Sequence, residues 1–297
     1  MDKINSYKLR IEAALEYLDN NIDSDLSLQA LSKIAGFSPY HFHRIFYAIT
    51  GTSLHEYVLT RKLNIAASQL LYETCDITKI ALDSGFSTPS AFSKNFKKLF
   101  RCTPTQYKAY KERKYPVRFA KISFPEYTYD SHIDKCFYET TLSNLKTLCI
   151  GVTGLSESFE NPEIEKAYHE IFYWLKKNPL NSEIKICGIT VDTPEVQALD
   201  SCKYYACAAV KDYVFTDTLT FRTFKTSGQY ICCKMNRNQK NFAEIFFKYM
   251  RYLYGFYLVQ HQLLPDFRPF VEFYGADANN NITITFCVPV KKARNEQ

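Results

Sequence analysis

The chain has 297 residues, 46% hydrophobic and 23% charged, enough apolar material for about two cores of ordinary size and too little bias for disorder. No window reaches the ~18 to 20 consecutive apolar residues of a membrane span, and Met1 to Glu12 alternates charged with apolar residues rather than forming a leader, so no membrane role is expected and the expected location is the cytoplasm. The ten cysteines, at positions 75, 102, 136, 149, 187, 202, 207, 232, 233 and 287, include no CxxC pair and no Cys/His cluster at ligand spacing. They are expected to be reduced core thiols, with no metal or other cofactor.

The net charge of +6 becomes informative when it is divided. Residues 1–114 hold 16 basic and 11 acidic side chains, and the remaining 183 hold 21 and 20. Between Ser84 and Lys114 stand Lys94, Lys97, Lys98, Arg101, Lys108, Lys111, Arg113 and Lys114 against the single acid Glu112. In a small helical domain such a block is either a solvated face or a phosphate-binding surface.

The first 110 residues read as short helices. Ser6 to Leu18 places Ile11, Ala14, Leu15 and Leu18 on one stripe. Ser27 is an N-cap for a helix over 28–35, Gly36 stands where a left-handed residue ends it, and Ser38-Pro39 opens another helix. Thr52 to Tyr72 is a longer helix. After it the pattern recurs: Gly36-Phe37-Ser38-Pro39 with Phe42, Arg44 and Phe46 is matched by Gly85-Phe86-Ser87-Thr88-Pro89 with Phe92, Lys94 and Phe96. Two copies of helix, glycine turn and helix on one connecting helix can place their second helices in successive DNA major grooves, about 34 Å apart.

These residues, with Leu26 to Phe46, Gly51, Tyr57, Arg61-Lys62-Leu63, Ile77 to Ala81, Phe92 to Lys98 and the closing Thr103-Pro104 and Tyr107, resemble the AraC/XylS DNA-binding domain over residues 8–110. Ser32 replaces a usual alanine and Lys108 a frequent arginine, both expected near the surface. The resemblance implies double-stranded DNA and RNA polymerase as partners, binding as a monomer, and activation of transcription. It also assigns DNA contact to Tyr40, His43 and Arg44 of the first motif, and to Ser90, Ser93, Lys94, Lys97 and Lys98 of the second. Phe42, Ile45, Phe46, Phe92, Phe96 and Leu99 are expected inward. Arginine can grip guanine O6 and N7 bidentately, so the Arg44 helix is expected to read bases and the second helix, with its short side chains, to position.

The remaining two thirds alternate strand and helix patterns. Strands are expected at Thr147–Val152, Ile184–Val191 and Lys203–Val210, with a helix at Pro162–Lys177. The order then repeats, with strands at Lys225–Met235, Phe270–Tyr274 and Ile282–Val288 and a helix at Asn238–Tyr254. Two βαββ units argue for an α+β domain with an antiparallel sheet and two helices on one face. The whole is then a multidomain chain: an all-α double helix-turn-helix domain over 1–108, a charged, proline-containing linker over 109–118, and the α+β domain over 119–294.

Ile150-Gly151-Val152, Trp174-Leu175, Pro269 to Tyr274 and Ile284 to Pro289 make this half similar to the GyrI-like effector-binding domain, in Rob-like order after the first. The resemblance implies a small-molecule effector. Glu272 lies in the aromatic run Phe270 to Tyr274, where a carboxylate must be paired, protonated or exposed. With Tyr168, Trp174, Tyr204, Tyr205, Tyr230 and Tyr274 as lining candidates, it suits a hydrophobic or cationic effector. A protein-interaction module or a hydrolase at Glu272 are alternatives for this half. No GxSxG, Walker, GxGxxG or HExxH run occurs, and His132, His169 and His261 are isolated, so no enzyme is expected. Redox sensing through Cys202, Cys207 or Cys232-Cys233 is a further alternative that apolar strand surroundings disfavour.

Overall fold

The computed structural model describes residues 3–22, 26–50, 52–72, 75–109, 129–156, 159–180, 183–192, 202–212, 216, 219–266 and 268–292. It divides into two compact units, Met1–Glu112 with Phe215–Arg222, and Arg113–Val214 with Thr223–Gln297. Of the expected linker, 110–118 lies outside the described residues.

The first unit is helical: α1 (Lys3–Asn20), α2 (Leu28–Ile34), α3 (Pro39–Thr50), α4 (Leu54–Tyr72), α5 (Ile77–Asp83), α6 (Pro89–Phe100) and α7 (Pro104–Ala109). Ile11, Ala14, Leu15 and Leu18 of α1 bury against Leu31, Phe42, Phe46 and Leu54. Burying such side chains contributes roughly 1.5–3 kcal/mol each, which is what holds helices too short to persist alone.

The duplication seen in the sequence is a duplication of helix ends. After α2 the N–H of Gly36 donates to Lys33 O and that of Phe37 to Ser32 O. After α5 the N–H of Gly85 donates to Leu82 O and that of Phe86 to Ala81 O. Both are Schellman motifs, whose penultimate residue must be left-handed; Gly36 has φ 62° and Gly85 φ 80°. The following helices are capped alike, His41 N–H donating to Ser38 Oγ at 3.4 Å and Ala91 N–H to Thr88 Oγ1 at 3.1 Å. Thr103 and Gln106 cap α7 reciprocally, each side chain accepting from the other's backbone N–H.

One expectation is corrected. Ser32 is fully buried rather than near the surface, and is tolerated because its hydroxyl donates back to Gln29 O at 3.0 Å. Lys108 is part-buried, its Nζ donating to Cys75 O at 2.7 Å.

The second unit is α+β, in the order α8 (Ser131–Asp134), β1 (Phe137–Leu142), β2 (Leu145–Thr153), α9 (Pro162–Lys177), β3 (Lys185–Thr190), β4 (Lys203–Val210), β5 (Thr220–Phe224), β6 (Gly228–Asn236), α10 (Phe242–Tyr252), a π-helical turn (Leu253–Tyr257), α11 (Leu258–Gln260), β7 (Leu263–Pro265), β8 (Phe270–Ala276) and β9 (Ile282–Lys292). The antiparallel sheet runs β1-β6-β9-β8-β3-β4-β2-β5, with β7 on β9. The first repeat is therefore ββαββ, one strand longer than the sequence pattern indicated, and the second has the same plan with the short β7 added before β8. Each also lends its first strand to the other: β1 pairs with β6 and β5 with β2. The two halves meet at β3 and β8, where Gly188 faces Glu272.

One face of the sheet carries the helices: α9 packs on β2 and β4, and α10 with the π turn buries Phe242, Met250, Tyr252 and Leu253 against Ile231, Ile284, Phe286 and Val288. The other face is a separate core of Cys149, Cys187, Ile189, Tyr205, Cys207, Tyr230, Cys232, Val271 and Cys287. The expectation of reduced thiols throughout is corrected here. Cys232 and Cys287, cross-strand partners on β6 and β9, are joined as a disulfide. Pairs brought together by strand register leave no trace in linear spacing.

Candidate DNA-reading helices and effector cluster

On α3, Phe42 and Phe46 are buried, and the intervening turn faces outward. Tyr40, His43, Arg44 and Tyr47 are all exposed, Tyr40 to 74%, and the Arg44 guanidinium lies 5.8 Å over the Tyr40 ring. On α6, Phe92 and Phe96 occupy the same inward positions, Ser90, Lys94, Lys97 and Lys98 are exposed and Ser93 is half-buried. Leu99, expected inward, is 40% exposed near the end of α6, and Phe100 packs on Phe96.

One residue the sequence reading missed is Arg10. From α1 its Nε donates to Ala35 O at 2.6 Å, its Nη2 donates to Gly36 O, and the guanidinium lies 3.6 Å over the Phe37 ring. It thus satisfies carbonyls at the end of α2 and clamps the turn that aims α3. No spacing rule connects residue 10 to residues 35–37, so only the tertiary fold reveals it.

In the second unit four of the seven lining candidates come together. Tyr168 Oη donates to Cys187 O at 3.0 Å and lies 2.8 Å from Tyr204 Oη. Tyr204 Oη is 3.2 Å from Tyr274 Oη, and Tyr274 donates to Glu272 Oε2 at 3.3 Å. Tyr204 also acts on Glu272, its hydroxyl lowering the carboxyl's pKa. Each phenol has one hydrogen. Tyr168 commits its hydrogen to a carbonyl and Tyr274 its own to the carboxylate, so Tyr204 must serve Tyr168, Tyr274 or Glu272 one at a time.

Glu272 is buried, and desolvation raises its pKa from 4.5 to about 7, partly offset by the Tyr204 and Tyr274 hydrogen bonds and by the charge of Arg237. Burial likewise pushes the Tyr168, Tyr204 and Tyr274 hydroxyls well up, reinforced by the adjacent carboxylate. The cluster needs Gly188. A Cβ there would overlap the Tyr204 hydroxyl and come within 2.9 Å of Glu272 Oε1.

Tyr205 and Tyr230 do not join this cluster. Strand alternation puts Tyr204 and Tyr205 on opposite faces, and Tyr205 packs on Phe224 in the far core. Tyr230 lies in that same core, donating to Pro269 O at 3.1 Å. Trp174 is half-buried on α9, on the other flank of the Ala167–Ile171 stripe from Tyr168. Among the described residues no group of three His, Cys, Asp or Glu side chains is placed to hold a metal ion, and no helix is long and apolar enough to cross a membrane.

Two family models match the chain: a helix-turn-helix domain over residues 31–110 and a GyrI-like small molecule binding domain over residues 151–291. The regulatory protein SoxS of Salmonella typhimurium is 32% identical over 35% of this chain and 96% of its own length. The multiple antibiotic resistance protein MarA of Escherichia coli is 31% identical over 36% of this chain and 85% of its own. The HTH-type transcriptional regulator YbfP of Bacillus subtilis is 31% identical over 36% of both chains, so the chain spans about a third of that relative's length. The chain belongs to the AraC-type family of helix-turn-helix transcription regulators, with a GyrI-like small-molecule binding domain following the DNA-binding domain in Rob-like order. It is a DNA-binding transcription regulator of this type.

Proposed function

We propose that the chain, acting in the cytoplasm, activates transcription by binding DNA as a monomer through both motifs and contacting RNA polymerase, under control of a hydrophobic, cationic effector held at Glu272. The boundaries that go with this reading are a DNA-binding domain over 1–108 and an effector domain over 119–294. Base readout is assigned to Tyr40, His43 and Arg44, and positioning to Ser90, Ser93, Lys94, Lys97 and Lys98. Effector contact is assigned to Glu272 with Tyr168, Tyr204 and Tyr274.

The observation that carries the effector assignment is the Glu272 carboxylate itself, buried among phenols whose hydrogens are too few for the acceptors present. A cation placed on it would supply the missing charge, and the phenol rings would supply faces for the rest of the ligand. Calorimetric titration with tetraphenylphosphonium tests this. Binding to the wild type that drops at least tenfold in Glu272→Gln is expected; equal affinity for both proteins removes Glu272 from the site.

A further inference from the structure

The far face of the sheet carries a second cysteine constellation besides the Cys232–Cys287 bond. Cys149 on β2, Cys207 on β4 and Cys187 on β3 stand in one row across three adjacent strands, each directly opposite the next. All three are buried in the core that also holds Cys232 and Cys287. The row has two candidate pairs, and the hydrogen-bond phase of the ladders separates them.

In an antiparallel ladder, directly opposed residues alternate between hydrogen-bonded pairs, with Cα atoms ~5.5 Å apart, and unbonded pairs, ~4.5 Å apart with closer side chains. Gly154 N–H donates to Cys202 O at 2.8 Å, so 154/202 is a bonded pair on the β2–β4 ladder. Counting along the continuous register, Val152/Tyr204 and Ile150/Ala206 are bonded, and Cys149/Cys207 is an unbonded, narrow pair. On the other side Val191 N–H donates to Lys203 O at 3.3 Å, so Ile189/Tyr205 and Cys187/Cys207 are bonded, wide pairs. The two results agree, because the backbone groups of one residue point to only one of its neighbours.

The same count on β6 and β9 starts from Arg237 N–H donating to Ile282 O at 2.8 Å and makes Cys232/Cys287 an unbonded pair. Its Cα atoms are 4.2 Å apart, as that phase requires. Cys149/Cys207 therefore occupies, on the other half of the sheet, the same phase as the pair that is bonded. The Cys207 thiol also contacts those of Cys149 and Cys187, and burial pushes its pKa well up.

We propose that Cys149 and Cys207 are a second cross-strand dithiol that a small two-electron thiol oxidant closes to a disulfide, and that Cys207 selects Cys149 over the equally adjacent Cys187. With diamide as oxidant, one cysteine thiolate adds to the N=N bond and the second thiolate displaces the hydrazide nitrogen from that sulfur. The S–S bond forms, the two thiol protons end on nitrogen, and the diazene is reduced to the hydrazine. Because the pair is buried, the reaction is slow and follows opening of the β2–β4 ladder. The site lies on the sheet face opposite Glu272 and stands whether or not Glu272 binds an effector.

The test is exhaustive diamide treatment of the native full-length protein, alkylation with iodoacetamide in guanidinium, and peptide mass spectrometry without reduction. The same treatment of the unfolded chain, where pairing is scrambled, verifies that all three thiols react. The expected result is a loss of about 2 Da beyond the Cys232–Cys287 bond, mapped to the peptides bearing Cys149 and Cys207. Cys187 is recovered alkylated, and Cys187→Ser leaves the cross-link intact. A predominant Cys187–Cys207 cross-link, or Cys149 and Cys207 both recovered alkylated from the native protein, overturns the proposal.

Discussion

The pH dependence of folding offers a direct reading of the Glu272 cluster. The carboxyl is buried and its pKa rises from 4.5 to about 7 on folding. At 1.36 kcal/mol per tenfold change in proton affinity, that difference corresponds to about 3 kcal/mol, as an order of magnitude. The sign follows from which state holds the proton. Between pH 4.5 and 7 the folded chain keeps it and the unfolded chain releases it, so stability is fully present below about 4.5 and is lost as pH rises through about 7. Tyr168, Tyr204 and Tyr274, whose hydroxyls burial pushes well up, stay neutral across this window and do not titrate with the carboxylate. Urea unfolding at pH 5, 6, 7 and 8, followed by the fluorescence of Trp174, the single tryptophan, reports on the second unit. In Glu272→Gln the titrating group is gone. The stability of the variant relative to wild type is expected to rise by about 3 kcal/mol from pH 5 to pH 8. Parallel profiles, with a difference constant to within about 0.5 kcal/mol, refute the claim that the carboxylate is buried and desolvated.

Four further outcomes follow from local geometry. Arg10→Ala leaves the carbonyls of Ala35 and Gly36 without their side-chain donor and should cost about 1–3 kcal/mol in thermal or urea unfolding of the DNA-binding unit. Gly85→Ala places a side chain at φ 80° and should cost about 1–2 kcal/mol, and Gly36→Ala should cost more, because its Cβ would also come within 2.8 Å of the Arg10 guanidinium that clamps the turn. Gly188→Ala should destabilise the second unit by about 1–3 kcal/mol, because the added methyl displaces Tyr204 from Glu272. In binding-site selection, Arg44→Ala should relax base preference more than Lys94→Ala, and Lys97→Ala should lower the log–log salt slope of DNA affinity by about 0.9; a larger loss of preference from Lys94→Ala reverses the division of labour.

What the sequence made legible was local. Schellman turns, caps and the Phe42/Phe46 and Phe92/Phe96 spacings are decided by neighbours within a few residues, and the helix-turn-helix duplication could be read directly from them. In the second unit β3, β4, β8 and β9 announced themselves by apolar runs buried on both faces. β1, whose six residues bury only Phe137 fully, and the short β5 did not. The helix expected from Asn238 begins instead at Phe242, after Asn241 in a left-handed conformation, and its final turn widens to π at Leu253. A one-residue insertion in a helix changes the phase of its apolar stripe without leaving a recognisable spacing. Among the lining candidates, Glu272 and Tyr274 were recognised together because strand alternation puts i and i+2 on one face. Tyr204 and Tyr205 could not be told apart before the face was known.

The two repeats also solve their stability problem differently, and that difference explains where the polar cluster sits. The helical repeats each close their own turn and share a core through α4, so each motif keeps its recognition helix outward and its chemistry on the surface. The ββαββ repeats instead exchange first strands, which leaves β3 and β8 as the central strands of an eight-strand path, each bordered on both sides. A polar residue placed there has no route to solvent along an edge. It can be met only from the helix face, where Tyr274 donates to Glu272 and the hydroxyls of Tyr204 and Tyr168 extend the chain of phenols without supplying a hydrogen for every acceptor. A buried carboxylate is costly and is not needed to join two strands, which an apolar residue at 272 would do more cheaply. Its presence at the junction of the repeats, with a glycine opposite to make room, favours a role in binding over a role in folding.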